Sequence, residues 1–203
     1  MLRRRLWTLI VPCLLALGVL CWKLADRQTS TAIDAAIDPR LAYRFGRQRR
    51  LFETVIALGN PTNVALASAA LAGLCLLMGA RRAALLSLVG PPLAGALTEW
   101  VLKPLVDRRH LGGLAFPSGH TTGACAVAVV LVLLLLPGGA LRNLAAPVRV
   151  LLWYAAAVFS AGVGLGVVVL RYHYATDVVG GAAVAVTVIL AFAWTLDRLA
   201  HRR

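Results

Sequence analysis

With 203 residues, of which 60% are hydrophobic and only 14% charged, the chain is too apolar for an ordinary soluble domain. Its net charge of +13 would suggest a nucleic-acid partner in a soluble protein. In so apolar a chain, basic residues instead flank membrane helices and face anionic headgroups, and the sequence contains no nucleic-acid recognition motif. We therefore expect one integral membrane domain over residues 1–203, with lipid and not nucleic acid as its partner.

Six nearly charge-free stretches follow one another along the chain. A membrane-crossing helix needs about 20 mostly apolar residues, and the stretches cover approximately residues 6–22, 54–80, 83–98, 119–141, 150–170 and 178–196. The third reaches this length only when it is extended to residue 102, which places Glu99 inside it. The first has no small-residue cleavage site after it, so we expect a retained helix over residues 1–25 and not a signal peptide. The sequence thus predicts an all-α polytopic membrane protein with six transmembrane helices.

The longest polar segment covers residues 26–53, and we assign it to an extracytoplasmic linker that precedes a core of residues 54–197. Charged and apolar side chains alternate in it, partly at helical spacing. This pattern predicts either an interfacial amphipathic helix or a solvated loop. The four cysteines lie inside apolar stretches without metal-ligand spacing, and we interpret them as buried small residues.

His173 and Asp177 follow the fifth apolar stretch at a spacing of four residues, which puts two side chains on one face of a helix. A carboxylate that accepts a hydrogen bond from one imidazole nitrogen leaves the other free as a nucleophile or base. A polar pair that only satisfies itself at a helix start is the other interpretation, and a second histidine at an equivalent depth, His120, argues against it.

Pro117-Ser118-Gly119-His120 is typical of a helix start. Ser118 can cap the helix, and the free N–H groups from Gly119 onward can bind phosphate. His120 then lies where it could protonate a leaving oxygen. The four residues are weak evidence alone, and they become informative together with His173 and Asp177.

Three cations just upstream could clamp phosphate oxygens or anchor lipid headgroups, namely Lys103, Arg108 and Arg109. Glu99 is four residues before Lys103 and could pair with it. The third and fifth helices end, and the fourth begins, on the same membrane face, so parity brings all these polar groups to one surface. We expect no metal and no cofactor, because no second carboxylate or thiolate cluster joins His120 and His173. His110 and His201 have no visible partner, and we interpret both as surface residues.

On these motifs the chain resembles the type-2 phosphatidic acid phosphatase superfamily, over about residues 50–197. The family signature consists of Lys-x6-Arg-Pro, Pro-Ser-Gly-His and Ser-Arg-x5-His-x3-Asp. The second element is complete at residues 117–120, and the third retains His173-x3-Asp177. The resemblance implies a six-helix phosphatase core that works without a metal.

The resemblance also implies a role for each matching residue. His173 would attack phosphorus and form a phosphohistidine, with Asp177 orienting it. His120 would protonate the leaving group and later activate water. Ser118 and the Gly119 amide would join Lys103 in binding the phosphoryl group.

Two departures from the signature concern the arginines. The first element's arginine falls at His110, so Arg108 or Arg109 must fill its role after a shorter loop, and we favour Arg108. The Ser-Arg pair falls at Gly166 and Val167. We expect Arg171, one helical turn after Val167, to reach back to the phosphate.

The function that this resemblance implies is dephosphorylation of a membrane lipid phosphate or diphosphate. Polyprenyl diphosphate or phosphate is our first candidate substrate, with phosphatidic acid and phosphatidylglycerol phosphate as others. The alternatives are a non-catalytic membrane protein that binds lipid phosphates, or a phosphatase of a prenyl-linked sugar phosphate. We expect a multi-pass protein of the plasma (inner) membrane whose site faces the extracytoplasmic side, because Arg81-Arg82 then forms an inner turn. A homo-oligomer is compatible with the sequence.

Overall fold

The computed structural model describes the backbone of residues 2–200 and the side chains of residues 7–199. The helices are α1 (Leu2–Leu24), α2 (Ala32–Phe45), α3 (Arg49–Leu58), α4 (Pro61–Leu77), α5 (Arg81–Leu97), α6 (Lys103–Val106), α7 (Gly119–Leu135), α8 (Ala146–Val169) and α9 (Ala175–Ala200). A 3₁₀ turn at Gly46–Gln48 joins α2 to α3, and a π-helical turn at Thr98–Leu102 joins α5 to α6. Two short antiparallel strands, β1 (Arg109–His110) and β2 (Gly113–Leu114), complete the architecture.

The predicted all-α polytopic membrane fold is confirmed, and each of the six apolar stretches falls on helix. Four segments of the described chain are long and apolar enough to cross a bilayer, namely Trp7–Leu24, Arg81–Val106, Ala146–Val169 and Ala175–Leu199. The segment from α2 to α3 and the helix α4 meet at an angle of 54° across a short break. Taken together, they would form a fifth membrane span. The remaining stretch is α7, which is apolar but only 17 residues long.

Two local features differ from a simple bundle of six helices. The second stretch is broken because Asn60 accepts a hydrogen bond from the Asn63 N–H at 2.9 Å and Pro61 follows at the first helical position, so a new helix starts there. The β1–β2 hairpin is the other difference. Leu111 and Gly112 both have positive φ, 49° and 82°, as a two-residue type I′ turn requires.

The core lies between α4, α5, α7 and α9, which pack on one another through small and aliphatic side chains. At the end of the bundle where α7 begins, α7 and α9 approach very closely. A Cβ placed on Gly181 of α9 would lie 2.6 Å from the carbonyl oxygen of Ser118. Only glycine allows this approach, and it brings the start of α7 against the first turns of α9.

Of the two interpretations of the linker, the structure shows a helix. Thr31 and Asp34 form a capping box at the start of α2, in which each side chain accepts a hydrogen bond from the other residue's N–H. The next helix, α3, buries Phe52 and Ile56 against Gly166 of α8. The linker helices therefore pack on α8 and α9 as part of the bundle.

Candidate active site

The residues singled out in the three sequence motifs converge at one end of the bundle. The backbone N–H of Ser118 donates to the carbonyl of Asp177 at 3.0 Å, which ties the start of α7 to the start of α9. Arg108, in the loop after α6, donates to the Asp177 carboxylate at 2.6 Å. The structure therefore brings the three segments together, as parity predicts.

His173 lies in the turn between α8 and α9, one residue before the cap of α9, and not on the helix that carries Asp177. The Asp177 carboxylate accepts a hydrogen bond from the Tyr174 N–H at 3.0 Å, so it satisfies a free donor of its own helix start. Its Oδ2 is 3.5 Å from Nδ1 of His173, and that nitrogen is buried without a hydrogen-bond partner. Catalytic hydrogen bonds are often this long before substrate binds.

Ser118 is the N-cap of α7, as predicted. Its hydroxyl is fully buried and accepts from the Thr121 N–H at 3.4 Å and the Thr121 hydroxyl at 3.0 Å. The N–H groups of Gly119 and His120 are the first of the helix, where the helix dipole favours an anion. His120 lies in the same turn, next to Gly119, against which the Lys103 ammonium and the Glu99 carboxylate lie.

An acidic side chain lies at this helix start. Glu99 binds Lys103 at 2.8 Å, as its spacing predicts, and its other carboxylate oxygen would lie 2.3 Å from a Cβ on Gly119. The π-helical turn that contains Glu99 places the pair there, since the Lys103 N–H donates to the Thr98 carbonyl five residues back. A carboxylate and a phosphate are both oxyanions. Glu99 therefore occupies a position, between Lys103 and the start of α7, where a phosphate could also bind.

The two arginines of the first motif have different surroundings. Arg108 is 0% exposed, and its guanidinium donates to Asp34, Thr176 and Asp177. Arg109 is about half exposed and pairs with Asp107 of its own loop at 3.0 Å. Arg109 is thus the accessible one, whereas Arg108 has no solvent contact.

Arg171 does not lie on the same face of α8 as Val167, although its spacing predicts this, because α8 ends at Val169. Its backbone is left-handed, with φ of 62°. The Arg171 N–H donates to the Val168 carbonyl at 2.9 Å and the Tyr172 N–H to the Val167 carbonyl at 2.8 Å, which is a Schellman motif. Its exposed side chain therefore starts from the turn beside His173 and not from the helix.

Several residues that contact the candidate site were not predicted from the sequence. His110 is not an isolated surface residue: its Nε2 donates to the carbonyl of Arg171 at 2.9 Å, and its ring lies 4.3 Å from that of Tyr174. Its position seven residues after Lys103 was the available signal. Asp34 and Asp38 of the linker accept hydrogen bonds from Thr176 and Ala175, and no local pattern pointed to them.

Within residues 2–200 no group of three or more histidine, cysteine, aspartate or glutamate side chains is arranged to hold a metal ion. The candidate site residues that the structure brings to one end of the bundle are the two histidines, the Asp177 carboxylate, the cations near them and the start of α7.

Comparison with known proteins gives two matches. The family model described as the PAP2 superfamily matches residues 62–200. Among solved structures, the chain is similar to the "first transmembrane PAP2 type phosphatidylglycerolphosphate phosphatase from Bacillus subtilis", with a TM-score of 0.71 and 21% identity over 94% of this chain and 96% of that one. At this identity the likeness shows a shared fold. A search of curated proteins found no match.

Proposed function

Because the chain belongs to the PAP2 superfamily, we infer that its substrate is a membrane lipid phosphate or diphosphate. The chain is an integral membrane phosphatase. We propose that it removes the phosphate through a phosphohistidine intermediate, without a metal. The observation that carries the proposal is the hydrogen bond from Ser118 to Asp177, which ties the start of α7, with His120 and Lys103, to the segment that contains His173 and Asp177. A protein that only bound lipid phosphates would need the cations but no nucleophile.

In the first step, Nε2 of His173 attacks phosphorus and forms the N–P bond as the bond to the leaving oxygen breaks. Asp177 accepts the Nδ1 proton in a hydrogen bond, which fixes the tautomer and stabilises the charged ring. His120, as an imidazolium, gives its proton to the leaving oxygen. In the second step the neutral His120 takes a proton from water, which attacks phosphorus and releases His173.

The phosphoryl oxygens are bound by Lys103 and by the N–H groups at the start of α7, with Ser118 shaping that helix start. Arg109 and Arg171 have exposed side chains on loops that adjoin the site, and we assign them to the same oxygens. In this proposal the substrate displaces Glu99 from its contact with Lys103.

A lipid substrate is supported by the apolar surface next to the site. Trp100 and Leu105, on either side of Lys103, are 80% and 72% exposed, as side chains that face lipid are. Polyprenyl diphosphate or phosphate remains our first candidate, on the resemblance alone. Phosphatidylglycerol phosphate is the second, because it is named for the similar solved structure. We place the site at the outer face of the plasma membrane.

The test is phosphate release by the purified protein in detergent with EDTA, using polyprenyl diphosphate, polyprenyl phosphate, phosphatidic acid and phosphatidylglycerol phosphate. We expect release from at least one lipid and its loss by at least about 10³-fold in His173→Ala. His201→Ala, at the C-terminal end of the chain, is the matched histidine control and should retain full activity. Lipid binding without release from any substrate would contradict the proposal and favour the non-catalytic alternative.

A further inference from the structure

We infer that Asp34, on the linker helix α2, is a positioning residue that holds the Asp177–His173 pair in place through Arg108. The inference rests on the proposed function, because it gives Asp34 a role in that chemistry. It also gives a different role to Arg108, which the family signature favours as a phosphate ligand.

The first step concerns the partners of Arg108. Its Nη1 donates to Asp177 Oδ1 and to the Thr176 hydroxyl, both at 2.6 Å, and its Nη2 donates to Asp34 Oδ2 at 2.7 Å. All three charged side chains are 0% exposed. A buried guanidinium with carboxylates on both sides is held by them, and a phosphate could reach it only if the loop moved.

The second step concerns the start of α9, whose first N–H groups have no partner within the helix. Asp34 accepts from the Thr176 N–H at 3.0 Å, and Asp38, one turn further along α2, accepts from the Ala175 N–H at 3.2 Å. These two carboxylates of α2 therefore cap α9 from outside, where negative charge is favourable. The segment that they fix begins two residues after His173 and contains Asp177.

The third step concerns the balance of charge on Asp177. One of its oxygens accepts from Arg108, and the other faces Nδ1 of His173 and accepts from the Tyr174 N–H. Because Arg108 also binds Asp34, its hydrogen bond to Asp177 is weaker than that of a guanidinium with Asp177 as its one carboxylate partner. Loss of the Asp34 charge would strengthen the Arg108–Asp177 pair and weaken the hold of Asp177 on the imidazole.

The residues before α2 support the same interpretation. The Asp26 N–H donates to the Val106 carbonyl at 2.8 Å, and the Arg109 N–H donates to the Arg27 carbonyl at 3.1 Å. These bonds fix the loop that carries Arg108 to the start of the linker. The linker is thus bonded to both sides of the site, to the Arg108 loop and to the start of α9.

The test compares Asp34→Asn with the wild type in two measurements. Asparagine keeps the volume and an acceptor for the Thr176 N–H but removes the charge. We expect kcat to fall by about 10- to 100-fold with little change in KM, as for other residues that orient a reacting group through a partner. The second measurement is a ¹³C-histidine NMR titration in detergent, with the His173 signal assigned by its absence in His173→Ala.

In that titration the His173 midpoint should move to lower pH, because Arg108 is no longer shared with Asp34 and binds Asp177 more strongly, which weakens the support that Asp177 gives to the imidazolium. The acid limb of kcat/KM should move in the same direction. The charged and titratable groups of the site that remain in the variant include Asp177, which faces His173, Arg108, which binds Asp177, and His120, Lys103, Tyr174 and Arg171 on the neighbouring segments.

Two controls separate positioning from stability. Thr31→Ala removes the capping hydroxyl of α2 and its hydrogen bond to Asp34 Oδ2 at 2.9 Å, but it keeps the Asp34 charge, so it should lower Tm and move the His173 midpoint much less than Asp34→Asn does. Glu53→Gln removes an exposed carboxylate of α3 and should change neither quantity. Asp34→Glu keeps the negative charge, so its His173 midpoint should lie between those of Asp34→Asn and the wild type.

The inference is overturned if the His173 midpoint is the same in Asp34→Asn as in the wild type, or if Thr31→Ala moves it equally. A lower KM with unchanged kcat in Asp34→Asn would also overturn it, since it would assign a released Arg108 to phosphate. Because the titration needs no turnover, it decides the role of Asp34 even if the proposed function fails in the lipid assay.

Discussion

At the scale of single residues, the most informative side chain is Arg171, because its backbone conformation is unfavourable. It occupies the left-handed position after a helix end, where glycine is the usual residue. An L-residue there costs about 1–2 kcal/mol relative to a right-handed conformation. Arg171 is two residues before His173, and the presence of a charged residue in place of glycine there suggests that its guanidinium has a function.

We predict opposite effects of Arg171→Gly on stability and on activity. Glycine relieves the left-handed backbone and should stabilise the protein by about 1 kcal/mol, whereas loss of a charge-assisted bond to phosphate should lower kcat/KM by roughly tenfold or more. Thermal unfolding and phosphate release measure the two effects. Arg171→Ala is the control, since it removes the same charge without relieving the backbone. Full turnover in both variants would show that Arg171 is only an interfacial anchor.

At the scale of secondary-structure elements, the site depends on the close contact between α7 and α9. Gly180 leaves room for the Phe116 ring, and Gly181 leaves room for the Ser118 carbonyl. The histidine of α7 and the histidine before α9 are held together by this contact. Any side chain at these positions must move one helix start relative to the other.

Gly181→Ala should therefore reduce activity more than it reduces stability. Overpacking against a backbone atom costs about 1–3 kcal/mol, whereas a displacement of about 1 Å between reacting groups can cost about 10²-fold in rate. The measurements are Tm and kcat in detergent. Gly73→Ala in α4, where nothing lies within 4 Å of the added methyl group, is the matched control and should be neutral or slightly stabilising. Equal kcat in Gly181→Ala and wild type would show that the contact does not set the geometry of the site.

At the scale of the whole molecule, the site and the Arg81-Arg82 turn lie at opposite ends of the bundle. The β1–β2 hairpin is at the end where α7 begins, and the residues after α7 are at the other end. If the site faces outward, the hairpin is outside the cell and the α7–α8 connection is inside.

Thiol labelling in intact cells tests this orientation. In a variant without Cys13, Cys21, Cys75 and Cys125, Leu111→Cys at the exposed hairpin tip should react with a membrane-impermeant reagent. Gly138→Cys, at an exposed position with open space around its Cα, should react only after permeabilisation. The reverse pattern would place the site in the cytoplasm.

The local sequence by itself determined the membrane class, the positions of the helices and the chemistry available to the site. A bilayer imposes a length and an apolar composition on each helix separately, and a helix cap or a His-x3-Asp spacing is likewise a local requirement. The prediction of Ser118 as a cap and of a Glu99–Lys103 pair succeeded for this reason.

Only the tertiary structure decided which arginine is buried, that Arg171 lies in the turn after α8, and that the linker helix α2 caps the start of α9. Arg108 and Arg109 are neighbours of the same type, and they differ only because Arg108 faces Asp34, 74 positions away, while Arg109 faces solvent. Asp34 and Thr176 are separated by 142 positions. Such pairings depend on how helices pack, and no local pattern of residues specifies a partner at that distance along the chain.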